Sequence, residues 1–285
     1  DVWSHGEDSP YESERVYDDA RAVLAAQPRD QPLLLWIHTL PPHSPYLPPV
    51  STKGRLLARG ELDRWDDMLP DNVRYPAARQ PLADKHRLRY RESMLAADAS
   101  LGRFLAELQA SGRLARAIVV VTADHGESFE RGFIGHAGPL LHESLVRIPF
   151  VLRLPGQAQG RVIEQPMSQA DVAPTLLDLA GAAPLAHAEG RSWKSALQAG
   201  GALPAEAPVF TMSLEHQNRY APLGSQGHFA VIEGRHKLWS TLGRENSARL
   251  YDLAADPREA NDIAASDPAR VTRLEALLRE RLARA

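Results

Sequence analysis

Apolar positions along this chain follow two kinds of spacing, and the pattern changes once, near residue 205. Glu14–Ala26 places Val16, Ala20, Val23 and Leu24 on one side of a helical projection and ends ahead of Pro28, which predicts a helix. Leu33–Ile37 is an unbroken apolar run, the pattern of a strand buried on both faces. The proline-rich stretch from Pro41 to Pro49 cannot be regular structure and predicts a loop leaving that strand's C-terminal end. Residues 50–85 are polar and aperiodic, which predicts an excursion over the surface. Arg87–Ser111 carries the longest helical pattern, with Met94, Leu95, Leu101, Leu105 and Leu108 repeating and Ser111-Gly112 as the stop. Ala117–Thr122 and Pro149–Arg153 read as two further buried strands. Val172–Ala180 reads as a short helix, with Asp171 as cap and Gly181 as stop.

This alternation predicts an α/β fold, a mostly parallel sheet flanked by helices. After residue 205 the helices drop out. Val209–Met212, Phe229–Ile232, Lys237–Ser240 and Arg249–Leu253 are short strands joined by Gly-containing turns, the mark of a small antiparallel sheet. A helix from Asp267, with Val271, Leu274, Leu278 and Leu282 on one face, closes the chain. The expected division is therefore 1–204, an α/β domain, and 205–285, a small sheet with its helix.

Composition narrows the function classes. With 33 Lys+Arg against 36 Asp+Glu, the 285 residues carry a formal charge of −3, which argues against a dedicated nucleic-acid binder. There is no cysteine, so disulfides, thiolate metal sites and a cysteine nucleophile are excluded from these residues. No signal peptide or membrane-spanning run is visible. The first residue is Asp1 rather than methionine, so the chain is expected to be a processed product or a piece of something longer.

Candidate chemistry falls on the loops that leave the strands, where open α/β sheets bind ligands. In A-I-V-V-V-T-A-D-H-G-E-S-F, Asp124 and His125 come directly off a strand, and a carboxylate beside an imidazole makes half of a divalent-metal site. The competing reading is that Asp124 caps a turn and His125 is incidental. In L-L-L-W-I-H-T-L-P-P-H-S-P-Y, His38 and His43 flank a proline-stiffened loop, where a surface histidine in a turn is the competing reading. G-F-I-G-H-A-G-P-L-L-H-E-S adds His136 and His142, with glycines that permit close backbone approach to a ligand. His142-Glu143 begins a zinc-protease H-E-x-x-H, but Val146 stands where the second ligand belongs. There is no nucleophile elbow, Walker loop or dinucleotide-binding glycine motif.

Taken in order, six segments resemble the later part of a sulfatase of the alkaline phosphatase superfamily. They are Trp36–Tyr46, Val119–Glu127, Gly135-His136, Leu145–Gly156, Gln169–Gly181 and Ala230–Ile263. The resemblance implies hydrolysis of sulfate esters with one divalent cation, calcium first, with manganese or zinc as alternatives. It implies Asp124 and His125 as two ligands of that cation. It also implies His43 and His136 as the histidines that contact the sulfate or phosphate group. Asp-His, where sulfatases often have Asp-Asn, also occurs in phosphonate monoester hydrolases and related phospho-transferring members. His38 and His142 would be supporting or structural residues, and Glu127, Arg147 and Asp171 would serve turns, caps and packing. Substrate specificity is expected from residues 50–85. The family's nucleophile half is not represented, so its formylglycine is expected outside this chain, and either that missing segment or a second copy would cover the exposed sheet edge. A non-catalytic anion-binding module is the alternative from another class. The family suggests the cell envelope or periplasm. Ser266-Asp267-Pro268-Ala269-Arg270 mimics the family's nucleophile motif, but its place at a helix start marks it as a cap. Asp18-Asp19 likewise mimics a metal-binding pair inside a helix.

Overall fold

A computed structural model describes residues 13–64, 67–138, 140–198, 201–204, 206–214, 227–244 and 247–284. The chain divides into two compact units, residues 1–136 with 148–159, and residues 137–147 with 160–285.

The first unit begins with helix α1 (Ser13–Ala26), on which Asp18 bonds Arg21 at the surface, as expected of a helical decoy. Strand β1 (Val73–Arg74) and helix α2 (Gln80–Ala110) follow, and Pro81 stands in the first turn of α2. Strand β2 (Val119–Thr122) pairs antiparallel with β5 (Phe150–Arg153), while β3 (Ser128–Glu130) and β4 (Phe133–Gly135) form a hairpin whose outer side takes β1. The α/β class is as expected, but every strand pairing among the described residues is antiparallel, not parallel. The run that should have supplied a parallel neighbour, Leu33–Ile37, is extended without a ladder. Leu35 and Ile37 pack with Tyr17, Ala20 and Phe104, while Leu34 and Trp36 are 88% and 77% exposed. One face of the run is covered and the other is not, so it is not the doubly buried strand that its composition predicts.

Helix α2 starts earlier than its apolar pattern indicates, and it buries a polar face. Met94 and Leu95 are exposed, whereas His86, Arg89, Glu92 and Ser93 are buried. The cause lies in the 50–64 segment, whose backbone donors need acceptors that the loop cannot supply itself. Glu92 Oε1 accepts from the N–H groups of Gly54, Leu56 and Leu57 at 2.8–3.0 Å, and Arg89 donates to Glu92 and to the Ala58 and Glu61 carbonyls. Burial pushes the Glu92 carboxyl up, but those N–H groups and Arg89 outweigh it and leave the group below its ordinary range. The surface excursion is thus gripped by two helix residues three positions apart.

In the second unit, Glu143–Val146 forms the one-turn helix α3, Val172–Leu179 helix α4, and Lys194–Leu197 helix α5. Asp171 does not cap α4 with its side chain. It completes a capping box with Ser168 one turn earlier and accepts from Arg191 N and Trp193 Nε1. The antiparallel sheet matches the expected strands closely: β6 (Val209–Ser213), β7 (Gly227–Glu233), β8 (His236–Leu242) and β9 (Arg249–Asp252), in that order. Helix α6 (Pro268–Ala283) lays Leu274 and Leu278 on Phe229, Val231, Leu238 and Leu250. Asp267 caps it by accepting from Arg270 N, and Ser266 donates to the Ile263 carbonyl, so the nucleophile-like pentad is a helix start. Lys237, fully buried, pairs with Glu143 at 2.9 Å and Glu259 at 3.0 Å, and His142 Nδ1 lies 3.3 Å from Glu259. Burial raises the Glu259 carboxyl, yet the hydrogen bond from His142, the Lys237 charge and the Glu143 N–H together hold it down at about 2.

In the first unit, burial lowers the His86 imidazole to about 4, and its Nε2 accepts from Leu69 N at 2.9 Å. A histidine whose folded pKa lies below its unfolded value adds stability that is present above about pH 6.5. That stability is lost as pH falls towards 4, because only the unfolded chain gains the proton. Denaturant melts at pH 7 and pH 4.5 should therefore differ by up to about 3 kcal/mol more in the wild type than in His86→Asn. Equal pH slopes for both would refute this role.

Candidate active site

The site in the first unit is set by strand register. The β3–β4 hairpin turns through Arg131 and Gly132, both at positive φ, and pairs Ser128 with Gly135. Antiparallel pairing continued by one residue sets Glu127 opposite His136, and the Glu127 carboxylate oxygens both lie 3.3 Å from His136 Nδ1. Asp124 and His125 precede the hairpin, directly beyond the end of β2. His43 lies in a turn closed by His43 N–H to Leu40 O and Tyr46 N–H to His43 O, with cis peptide bonds at Pro41-Pro42 and Ser44-Pro45 on either side.

These three loops bring three imidazoles together. His125 stacks on His136 with ring centroids 4.1 Å apart, and His43 meets His136 edge-on at 4.8 Å and His125 at 6.4 Å. The backbone fixes two of the tautomers. His43 Nδ1 lies 2.7 Å from Ser44 O and His125 Nδ1 lies 2.8 Å from Gly126 O. A carbonyl only accepts, so each Nδ1 carries a proton and each Nε2 is left for a ligand. His125 Nε2 lies 3.7 Å from Asp124 Oδ2, and the Asp124 side chain is 71% exposed. Its other oxygen, Oδ1, accepts from His125 N, so one oxygen of the carboxylate caps the turn and the other stands beside His125 Nε2. His136 is held above its ordinary pKa by the Glu127 hydrogen bond, against the opposing effect of burial and with help from the charges of Glu127, Asp71 and Asp124. An imidazolium at that point is suited to bind an anion.

Asp124 and His125 fit a divalent cation as far as they go: one carboxylate oxygen and one imidazole lone pair converge on an open face. Among the described residues no third His, Asp or Glu donor joins them, so the pair is half of a coordination shell. Glu127, expected to serve a turn, instead braces His136. His38 is exposed and lies outside the three-histidine group. His142 is a structural residue of the second unit, bonded to Glu259.

Sequence reasoning missed Asp71 and Asn72, which tie two of the loops together. Ser44 Oγ donates to Asp71 Oδ2 at 2.7 Å, Asn72 Nδ2 donates to the same oxygen at 3.3 Å, and His136 N donates to Asn72 Oδ1 at 2.9 Å. A hydrogen-bonded chain thus runs from the residue after His43 to His136. The readable signal was Pro70-Asp71-Asn72, a turn tripeptide immediately ahead of an alternating segment. β1 registers Val73 against Ile134, which sets Asn72 beside Gly135.

The family model described as Sulfatase matches residues 3–182, and one described as N-sulphoglucosamine sulphohydrolase, C-terminal, matches residues 135–285. An N-acetylglucosamine-6-O-sulfatase of Bacteroides thetaiotaomicron is 30% identical over 180 residues, covering 61% of this chain and 31% of that protein. A protein solved in complex with its substrate D-glucosamine-2-N,6-O-disulfate shares the fold at a TM-score of 0.71 and 20% identity, over 94% of this chain and 68% of that one. The phosphonate monoester hydrolase of Agrobacterium radiobacter does so at a TM-score of 0.72 and 22% identity, over 94% and 60%. The chain spans about a third of the length of the curated relatives it matches.

Gly135 tests the register argument. Its φ is +113°, and a Cβ there would stand 2.4 Å from Asn72 Oδ1 and 2.6 Å from Asn72 N. Gly135→Ala should cost about 2 kcal/mol or more in a denaturant melt and shift the His136 ring resonances in NMR. A melt and spectrum matching wild type would contradict the close approach.

Proposed function

The chain belongs to the sulfatase family, and from that premise we propose that it supplies one side of the active site of a metal-dependent sulfate-ester hydrolase. The observation that carries this reading is the convergence of His43, His125 and His136 from three separate loops, with Asp124 beside them. The substrate class is a sulfated amino sugar. The family-model match to a sulphoglucosamine sulphohydrolase and the similarity to an N-acetylglucosamine-6-O-sulfatase support that choice. The nucleophile lies outside residues 1–285. The outward-facing Leu34 and Trp36 support a covering partner, either another part of a longer chain or a second copy.

Asp124 and His125 Nε2 would hold the cation, calcium first, which when bound adds positive charge at the ester oxygens and favours an ionised nucleophile. His136, whose Nδ1 is turned to Glu127, donates from Nε2 to a sulfate oxygen and offsets charge that grows as the ester bond breaks. His43 is fixed at Nδ1 by Ser44 O, so its Nε2 faces the chemistry. In the protonated ring that nitrogen donates to the departing oxygen. Asp71 and Asn72 keep the His43 and His136 loops at one spacing, which limits misplacement of the two groups.

A second reading rests on one observation: Asp124 is followed by His125, the pairing shared with phosphonate monoester hydrolases. One assay separates the two. The intact gene product, with Ca²⁺ or Mn²⁺, should release sulfate from 6-O-sulfated N-acetylglucosamine, and Asp124→Asn should lower kcat/KM by roughly 100-fold or more. Residues 1–285 alone should be inactive. Turnover of phosphonate esters without sulfate release would favour the second reading. Asp124-dependent turnover by residues 1–285 alone would overturn the placement of the nucleophile.

A further inference from the structure

We propose that Asp71, Glu127 and His136 form a second divalent-metal site, separate from the Asp124–His125 pair, that takes a transition ion of the zinc, cobalt or manganese class. One ligand atom from each of the three residues lies within 4.8 Å of the others. The spacing inside the group is informative. His136 Nδ1 stands 3.3 Å from both Glu127 oxygens. A charge-assisted N–H···O bond is usually about 2.7–2.9 Å long. Two donors on neighbouring corners of a tetrahedral ion with bonds near 2.0–2.1 Å stand about 3.3–3.4 Å apart. The observed separation accommodates an ion between the two groups as well as it does a long hydrogen bond.

Three further observations favour the ion. Asp71 Oδ2 is used by Ser44 and Asn72, but its Oδ1 is buried and has no hydrogen-bond partner. Tyr46, a residue only 3% exposed, turns its buried hydroxyl to Glu127 and feels the charges of both Glu127 and Asp71. The Glu127 side chain is 3% exposed, and among the described residues neither it nor Asp71 pairs with a lysine or arginine. Two carboxylates therefore share one imidazole, a group two charges short of neutral when that imidazole is neutral, which a divalent ion corrects. Gly135 keeps the space open, because a Cβ there would come within 2.7 Å of Asp71 Oδ1. Two carboxylates and an imidazole are a donor set that borderline transition ions accept. An ion on Nδ1 leaves Nε2–H as the donor of the His136 ring, so occupancy fixes the tautomer that the anion-binding role requires.

Cobalt reports both stoichiometry and geometry. Residues 1–285 should bind two Co²⁺ in equilibrium dialysis, with visible absorption of a four-coordinate ion. Asp71→Asn and the near-isosteric Glu127→Gln should each weaken one of the two sites at least tenfold and remove that absorption, while thermal melts confirm folding. Asp124→Asn should lose only the other ion. If Asp71→Asn and Glu127→Gln bind as wild type does, the proposal is overturned, and His136 is simply an imidazolium paired with Glu127. A single ion lost only in Asp124→Asn overturns the second site and leaves the sulfatase reading intact. A single ion lost only in Asp71→Asn and Glu127→Gln supports the second site and removes Asp124 from the metal.

Discussion

The antiparallel register of one short hairpin decides where the chemistry stands. Because side chains alternate with a period of two, a one-residue slip of β3 on β4 would send His136 and Glu127 to opposite faces. The slip is opposed from two sides. Phe129 and Ile134 belong to the apolar cluster with Tyr46 and Tyr75, and β1 locks the outer edge through Val73 and Ile134. Gly135 then admits Asn72 closer than any side chain would permit. A histidine one residue beyond a three-residue strand is thereby placed as firmly as one on a long element.

The rest of the first unit repeats the same economy. Irregular backbone is made rigid by a few buried polar side chains. Glu92 and Arg89 satisfy the 53–61 loop, His86 satisfies Leu69, and Asp71 satisfies Ser44 and Asn72. Each of these side chains leaves an unpaired donor or acceptor costly if removed, since a buried orphan costs about 1–3 kcal/mol. The second unit contains a parallel case, in which Lys237 is held between Glu143 and Glu259 under the small sheet. Losing one partner of such a buried group would leave an uncompensated charge, a loss of about 3–5 kcal/mol.

The sequence was most legible where packing alone decides structure. β6 to β9 and α6 could be read within a residue or two, because alternation, Gly turns and an Asp cap all agree. The pairing of Asp124 with His125 and the interest of His43 and His136 were also legible, since these residues sit directly beside strands or prolines. Three features were not. Leu33–Ile37 has the composition of a central strand, but composition carries no information on whether neighbours are present on both sides. α2 hides its polar face because the reason for burying Glu92 lies in a loop some 35 residues away, whose unpaired N–H groups periodicity cannot show. Asp71, Asn72 and Glu127 look like turn residues, and only the tertiary register turns them towards His136.

We propose that His43 and His136 contact one sulfate ester beside the cation site of His125, so that all three rings sense the same binding event. Histidine-labelled protein titrated with N-acetylglucosamine-6-sulfate in the presence of Ca²⁺ tests it most directly by NMR. The ring resonances of His43, His125 and His136 should move together and saturate at a single ligand concentration, while those of His86 and His142 stay fixed. If the three rings respond independently, or His86 and His142 respond while they do not, the account is wrong.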